Sequence, residues 1–292
     1  MRILLTGASG QVGTEFRRTS RADGEVLSPR RDELDLSDES SVRRYLRELR
    51  PDLVVNAGAY TAVDRAEKES DLCFAVNGAA PTALAEEAAK IGALVFHLST
   101  DYVFDGEKAG PYCEDDPTNP LGAYGASKVA GEKGVIAAGG RAVILRTSWV
   151  YSLHGKNFLL TMLRLAKERP ELRVVEDQIG APTSAGQIAA AIHRLIGQLA
   201  RTAEAEFPGG IYHMTAQGVT SWHGFAEAIV KRSSLPVRPR VTPISTAEYP
   251  TPAVRPKNSV LSNEKFAATF GFRLQPWQAE LDEVLAGRTA EA

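Results

Sequence analysis

Short apolar runs alternate with stretches of helical spacing through the first half of the chain. "RILLT", "EVLSP", "DLVVNA", "LVFHLS" and "AVILRT" have the length and β-branched content of strands. Between them, "VGTEFRRTS", "DESSVRRYLRELR", "PTALAEEAAKIG" and "SKVAGEKGVIAAG" carry helical spacing with polar faces. Strand–helix alternation at this pace predicts an α/β fold built on a doubly wound parallel sheet with right-handed crossovers. Ser37 is the expected N-cap of the helix in "LSDESSVRRYL", with Asp38 and Glu39 in its first turn.

The rhythm changes after residue 150. "NFLLTMLRLAKE" and "SAGQIAAAIHRLIGQLA" read as helices, whereas Val237 to Asn258 is rich in proline. Proline blocks helix interiors and central strands, so this segment is expected to be ordered loop or edge structure, anchored by Ile244, Tyr249 and Val254.

Composition narrows the function classes. The 292 residues carry a formal charge of −2, which gives no bulk electrostatic case for nucleic acid or membrane binding. Only two cysteines occur, Cys73 and Cys113, and no Cys/His cluster suggests zinc. The first strand is too short for a signal sequence, and no apolar run reaches membrane-spanning length. A cytoplasmic protein is expected.

"LLTGASGQVGTEF" joins the first strand to the first helix, with Gly7, Gly10 and Gly13 spaced GxxGxxG. Glycine permits positive φ and close approach of backbone to a pyrophosphate, and N–H groups at the helix start bind the anion. A dinucleotide site follows. The second strand ends in "VLSPRR", with no acid to receive ribose hydroxyls. Arg30 and Arg31 suit a 2′-phosphate, which favours NADPH, with NADH as the alternative. Asp35, a few residues on, contacts the adenine or caps a turn.

In "LGAYGASK", Tyr124 and Lys128 lie four apart and share one helix face. A free phenol has a pKa of about 10, and a neighbouring ammonium lowers it, making the phenol a better proton donor. "TNPLGAYGASKVAGE" and "LSTDYVFDG" together resemble the extended short-chain dehydrogenase/reductase family. The strings "VVNAGAYTAVDRAE", "STDYVFDG", "RTSWVYSLHGKNF", "DQIGAPTSA" and "YPTPAVRPKNS" stand in the order seen in dTDP-4-dehydrorhamnose reductases, a resemblance running from residue 1 to about 278.

The resemblance implies a Rossmann-type sheet with a smaller C-terminal substrate-binding domain. The dinucleotide-binding part would be 1–150, continued by about 183–216, and the substrate part 151–182 and 217–292. It also implies reduction of the C4 ketone of dTDP-4-dehydro-6-deoxy-L-mannose to dTDP-L-rhamnose. Tyr124 would donate the proton, Thr100 would hydrogen-bond the carbonyl oxygen, and Lys128 would lower the tyrosine pKa and hold the nicotinamide ribose. Gly10, Gln11 and Val12 would meet the pyrophosphate, Asp35 and Leu36 the adenine side. Ala59, Tyr60 and Thr61 would line the cofactor after the third strand. Thr100, Asp101 and Trp149 would contact the sugar nucleotide, with Tyr102 and Arg255 as further contacts.

His97 lies within an apolar strand and reads as a core residue; Asn77 reads as a structural bracket. Some relatives form a dimer bridged by magnesium through glutamates. Here "SAGQIAAA" lacks one such acid, although Glu15 and Glu283 are present, so a magnesium bridge is not expected and either a monomer or a homodimer fits. Two rivals stay open: a reductase of a related dTDP-4-keto-6-deoxyhexose, and a non-catalytic nucleotide-binding subunit on the same fold.

Overall fold

The computed structural model describes residues 1–19, 24–234 and 238–291; Val237, at the start of the proline-rich segment, lies outside them. In chain order the first part forms β1 (Arg2–Thr6), α1 (Gln11–Thr19), β2 (Glu25–Leu27), α2 (Glu39–Leu49), β3 (Leu53–Asn56), α3 (Val63–Ala66) and α4 (Ser70–Phe74). α5 (Ala80–Lys90), β4 (Leu94–Thr100), α6 (Ala123–Ala137), β5 (Ala142–Thr147) and β6 (Val150–Tyr151) follow. The remainder begins with α7 (Phe158–Glu168), β7 (Glu171–Val175), β8 (Ile179–Gly180), β9 (Thr183–Ser184), α8 (Ala185–Leu199) and β10 (Gly210–His213). It ends with β11 (Thr220–Ser221), α9 (Trp222–Arg232), β12 (Arg240–Ile244), α10 (Glu264–Phe270) and α11 (Trp277–Glu291).

A six-stranded sheet runs in the order β10-β5-β4-β3-β1-β2, with every pairing parallel. Period-two geometry explains why its strands read as continuous apolar runs. Ile3, Leu5, Leu53, Val55, Phe96 and Leu145 face the core shared with α1 and α8. Leu4, Val54, Val95 and Ile144, one register step away, face α2 and α5. A second core gathers Tyr151, Leu159, Leu163, Phe225, Ile229, Trp277 and Leu281 from α7, α9 and α11. Among the described residues, no helix is long and apolar enough to cross a membrane.

Two local expectations need correction. Asp38, not Ser37, caps α2, accepting from the N–H groups of Ser40 and Ser41. The Ser37 hydroxyl is spent on Asp35, to which it donates at 2.7 Å. The proline-rich segment is ordered, and its Arg240–Ile244 stretch pairs with β7 alone, which accommodates Pro243 at an edge. Ile244 is buried there, but Tyr249 and Val254 are 60% and 62% exposed rather than buried anchors, and Tyr249 lines the pocket beside Trp222. That loop is held by polar contacts instead.

Candidate active site

Sheet order reverses between β1 and β3, and open α/β sheets bind ligands outside the carboxyl ends of strands at such a point. There Gly7 takes a φ of 69°, and a Cβ on it would lie 2.5 Å from the Gly58 nitrogen. A Cβ on Gly13 would sit 2.2 Å from the Gly7 carbonyl oxygen, so the turn folds only with glycine at both places. The Gly10 N–H donates back to Gly7 at 2.9 Å. An anion here would therefore be met by the helix-start N–H groups of Gln11 and Val12. The Gln11 side chain faces the opposite wall. It donates to the Val150 carbonyl and accepts from Ser152 and Asn157, tying the glycine turn to the 150–157 loop.

A cleft of about 690 Å³ continues past the end of β2, lined by Ser9, Arg30, Arg31, Asp35, Leu36 and Tyr60 among others. Both arginines are exposed and lean on neighbouring acids, Arg30 on Asp32 and Arg31 on Asp35. Asp35 caps a turn: it accepts from the Ser37 N–H and hydroxyl, which hold its carboxyl below the usual range. Asn77 is a bracket, exchanging hydrogen bonds with the backbone of Tyr60 and reaching Ser127 on α6. Ala59 and Thr61 flank that loop and line the same cleft.

Thr100 ends β4, and Tyr124 and Lys128 rise from the facing side of α6. All three line one cleft of about 1110 Å³ that also touches Gly10, Gln11, Val12, Trp149 and Arg255. The Thr100 hydroxyl donates to Asp101 at 3.0 Å and accepts from the Tyr102 N–H. Burial pushes the Tyr124 phenol up; a hydrogen bond with Thr100 works against that rise, and the Asp101 charge adds to it. The Lys128 ammonium donates to the Leu98 carbonyl at 2.5 Å, and burial brings its pKa down to about 8 against the pull of Glu132. Asp101 is buried with one unpartnered oxygen, and burial raises its pKa to about 6 despite bonds from Ser259 and Thr100. Tyr102 packs edge-on against Tyr124 at 5.5 Å. His97 is fully buried, held near neutrality first by burial and then by Lys128, and bonded to Asn56.

The far wall explains Trp149. Its backbone is left-handed, with φ at 49°, and its ring stacks on Trp222 at 3.7 Å. A Cβ on Gly180 would come within 2.6 Å of that ring, which accounts for the glycine in "DQIGAPT". Arg255 bonds Thr251, the Ala253 carbonyl and, at 2.9 Å, Asp64 of α3. An adjoining pocket of about 350 Å³ is lined by Phe158, Met162, Leu172, Trp222, Arg173 and Arg255 among others. Sequence reasoning missed Trp222, Asn157 and Asp64; only Asn157 carried a signal, as an N-cap type residue before "FLLTMLRLAKE".

Glu15 is engaged with Arg18 and His154, and Glu283 accepts from Gln187. Among the described residues, no group of three His, Cys, Asp or Glu side chains could hold a metal ion.

A family model described as RmlD substrate binding domain matches residues 1–289. A dTDP-4-dehydrorhamnose reductase of Burkholderia thailandensis is 50% identical over 95% of this chain and 96% of its own. One from Sinorhizobium fredii is 46% identical over 95% and 94%. The crystal structure of a Bacillus anthracis dTDP-4-dehydrorhamnose reductase in complex with NADP superposes with a TM-score of 0.91, at 34% identity, covering 98% of this chain and 99% of that one. A Thermus thermophilus UDP-glucose 4-epimerase, at 22% identity and a TM-score of 0.81, shares the fold. With the match extending across nearly the whole chain, this protein belongs to the RmlD substrate binding domain family.

Proposed function

We propose that this chain reduces the C4 ketone of dTDP-4-dehydrorhamnose, giving dTDP-L-rhamnose, with NADPH as reductant. The observation that carries this reading is the convergence of Thr100, Tyr124 and Lys128 where a glycine-turn cleft meets the Trp149–Arg255 wall. The chain's likeness to reductases of this name, and to one crystallised with NADP, supports it. The cleft suits a dinucleotide: the close-packed glycine turn leaves helix-start N–H groups for a pyrophosphate, and Arg30 and Arg31 stand exposed beyond β2.

Bound NADPH supplies the hydride. Tyr124 gives its phenolic proton to the oxygen that had been the C4 carbonyl, and the Thr100 hydroxyl donates a hydrogen bond to the same oxygen. Lys128 holds the nicotinamide ribose with its ammonium and keeps positive charge beside the developing oxyanion. Asp101 stands beside Thr100 at the sugar end of the cleft. Arg255 faces the diphosphate, and the pocket under Trp222 receives the nucleoside. The free thiols of Cys73 and Cys113 suit a reducing compartment such as the cytoplasm.

Purified protein is expected to oxidise NADPH only when dTDP-4-dehydrorhamnose is present, with NMR showing the rhamno configuration at C4. Product of the other C4 configuration would assign a related 4-keto sugar reductase. No turnover with either nicotinamide cofactor would sink the reductase reading.

A further inference from the structure

Behind the catalytic face of α6 lies a charged cluster that the reaction as described does not use. Glu132 sits four residues beyond Lys128 on the same helix, one turn further from the cleft. Arg146 of β5 clamps its carboxylate bidentately, Nε at 2.8 Å and Nη2 at 2.7 Å. The hydroxyl of Ser99, the residue preceding Thr100, donates to the same carboxylate at 2.5 Å. Arg146 reaches His213 through Nη1 at 3.3 Å and lies over the Phe104 ring at 5.1 Å. His213 bonds the Tyr112 carbonyl through Nδ1. Glu132, Arg146 and Lys128 are each 2% exposed.

A bidentate buried pair needs no third member for its own stability, and apolar residues would fill this layer at lower desolvation cost. Its placement is what argues for use. Glu132 is a buried carboxylate one turn from the buried Lys128 on the same helix face, and the clamp fixes α6 to the ends of β4 and β5 that carry Thr100 and Thr147. The other titratable groups facing Lys128 are His97 of β4, Cys73 of α4 and Tyr124 of its own helix. Burial holds the first neutral and raises the thiol of the second. That leaves Glu132 as the counter-charge among them.

We propose that Glu132, held by Arg146 and Ser99 one helical turn behind Lys128, is a positioning residue that acts through Lys128 and keeps its ammonium charged at the cleft. The proposal rests on the role given to Lys128 above. Arg146 competes with Lys128 for one carboxylate, so the two partners are expected to act with opposite sign.

The test is the pH profile of kcat/KM for Glu132→Gln and Arg146→Met, with NADPH binding followed by fluorescence to show that each variant is folded. Glu132→Gln should move the basic limb to lower pH, by about one unit, since an opposite charge at this range favours the charged form. Arg146→Met, which leaves Glu132 to Lys128 alone, should move it to higher pH. A merely structural clamp predicts lower kcat with the limb unmoved, and that result in either folded variant overturns the proposal. Lys128→Met distinguishes the underlying reading. If it retains wild-type activity, the role of Lys128 is wrong; if it is inactive while both limbs stay fixed, only the inference about Glu132 fails.

Discussion

Lys128 is where chemistry and stability pull apart. Its pKa of about 8 lies below the ordinary lysine value of 10.5. Burying the charged form therefore opposes folding fully below about pH 8, and the cost fades as pH rises from there towards 10.5. Lys128→Met should raise stability at pH 7 by on the order of 1–2 kcal/mol, once the lost bond to Leu98 is set against the relieved burial. Activity should collapse in the same variant, so thermal melts and NADPH oxidation are expected to move in opposite directions. In the parent protein kcat/KM should fall as pH rises through about 8, when the ammonium is lost. Tyr124→Phe should lower kcat by about a hundred- to ten-thousand-fold with NADPH affinity nearly unchanged, the range for loss of a general acid. Wild-type kcat in that variant would remove the proton donor. A spacing of four gives these two residues a shared helix face, but it was the resemblance of the surrounding strings to the reductase family that singled them out of many such pairs. The electrostatics were not legible, because the direction of the Lys128 ammonium depends on the Leu98 carbonyl, thirty residues away. Ser37 and Asp38 make the same point on a smaller scale: both are capping types, and only the turn around Asp35 decides which one is free to cap.

Between elements, the telling contact is Asp64 with Arg255. A carboxylate on the short helix after β3 accepts from the Ala253 N–H at 3.2 Å and from the Arg255 guanidinium at 2.9 Å. It thereby pins the loop after β12 across the cleft. Tyr249 and Val254, the apolar candidates in that loop, are largely exposed, so the Asp64 pair and the Asp177 carboxylate that accepts from Thr246 do the holding. Asp64→Asn keeps the size and one acceptor but loses the charge-assisted pair. The expected result is a rise in KM for the sugar nucleotide of about tenfold, with the NADPH dissociation constant within about twofold of the parent. Equal losses in both would mean that Asp64 supports the cofactor side instead. Nothing in the sequence could pair these residues, since 191 positions separate them. The strands of the sheet, by contrast, were readable because burial on both faces writes itself as an unbroken apolar run.

At the scale of the whole molecule, the layered sheet core and the second core are joined through short strands, and α11 covers the joint. Glu280 of α11 is fully buried there and accepts from the Ser184 N–H of β9 at 2.7 Å. Its other oxygen, the Tyr151 hydroxyl and the Trp277 indole N–H have no hydrogen-bond partner. Burial is the main cause that lifts the Glu280 carboxyl to about 8 from an ordinary value of 4.5. The sign follows from which state binds the proton. Between these two pKa values the unfolded chain ionises while the folded one stays protonated, so stability present below pH 4.5 is lost as pH rises through about 8. Glu280→Gln removes the titration yet keeps an oxygen for Ser184. Its unfolding free energy should exceed that of the parent by on the order of 2–3 kcal/mol at pH 8.5 and converge on it near pH 5. Denaturant titrations at the two pH values measure the difference directly. A constant offset at both would locate the effect in packing rather than in the proton. Because Glu280 stands well away from Thr100 and Tyr124 in the chain and lines neither the cleft nor its neighbouring pocket, the variant should keep parental kcat at neutral pH. Stability and catalysis would then answer to different buried acids, Glu280 at the joint between the cores and Glu132 behind the lysine.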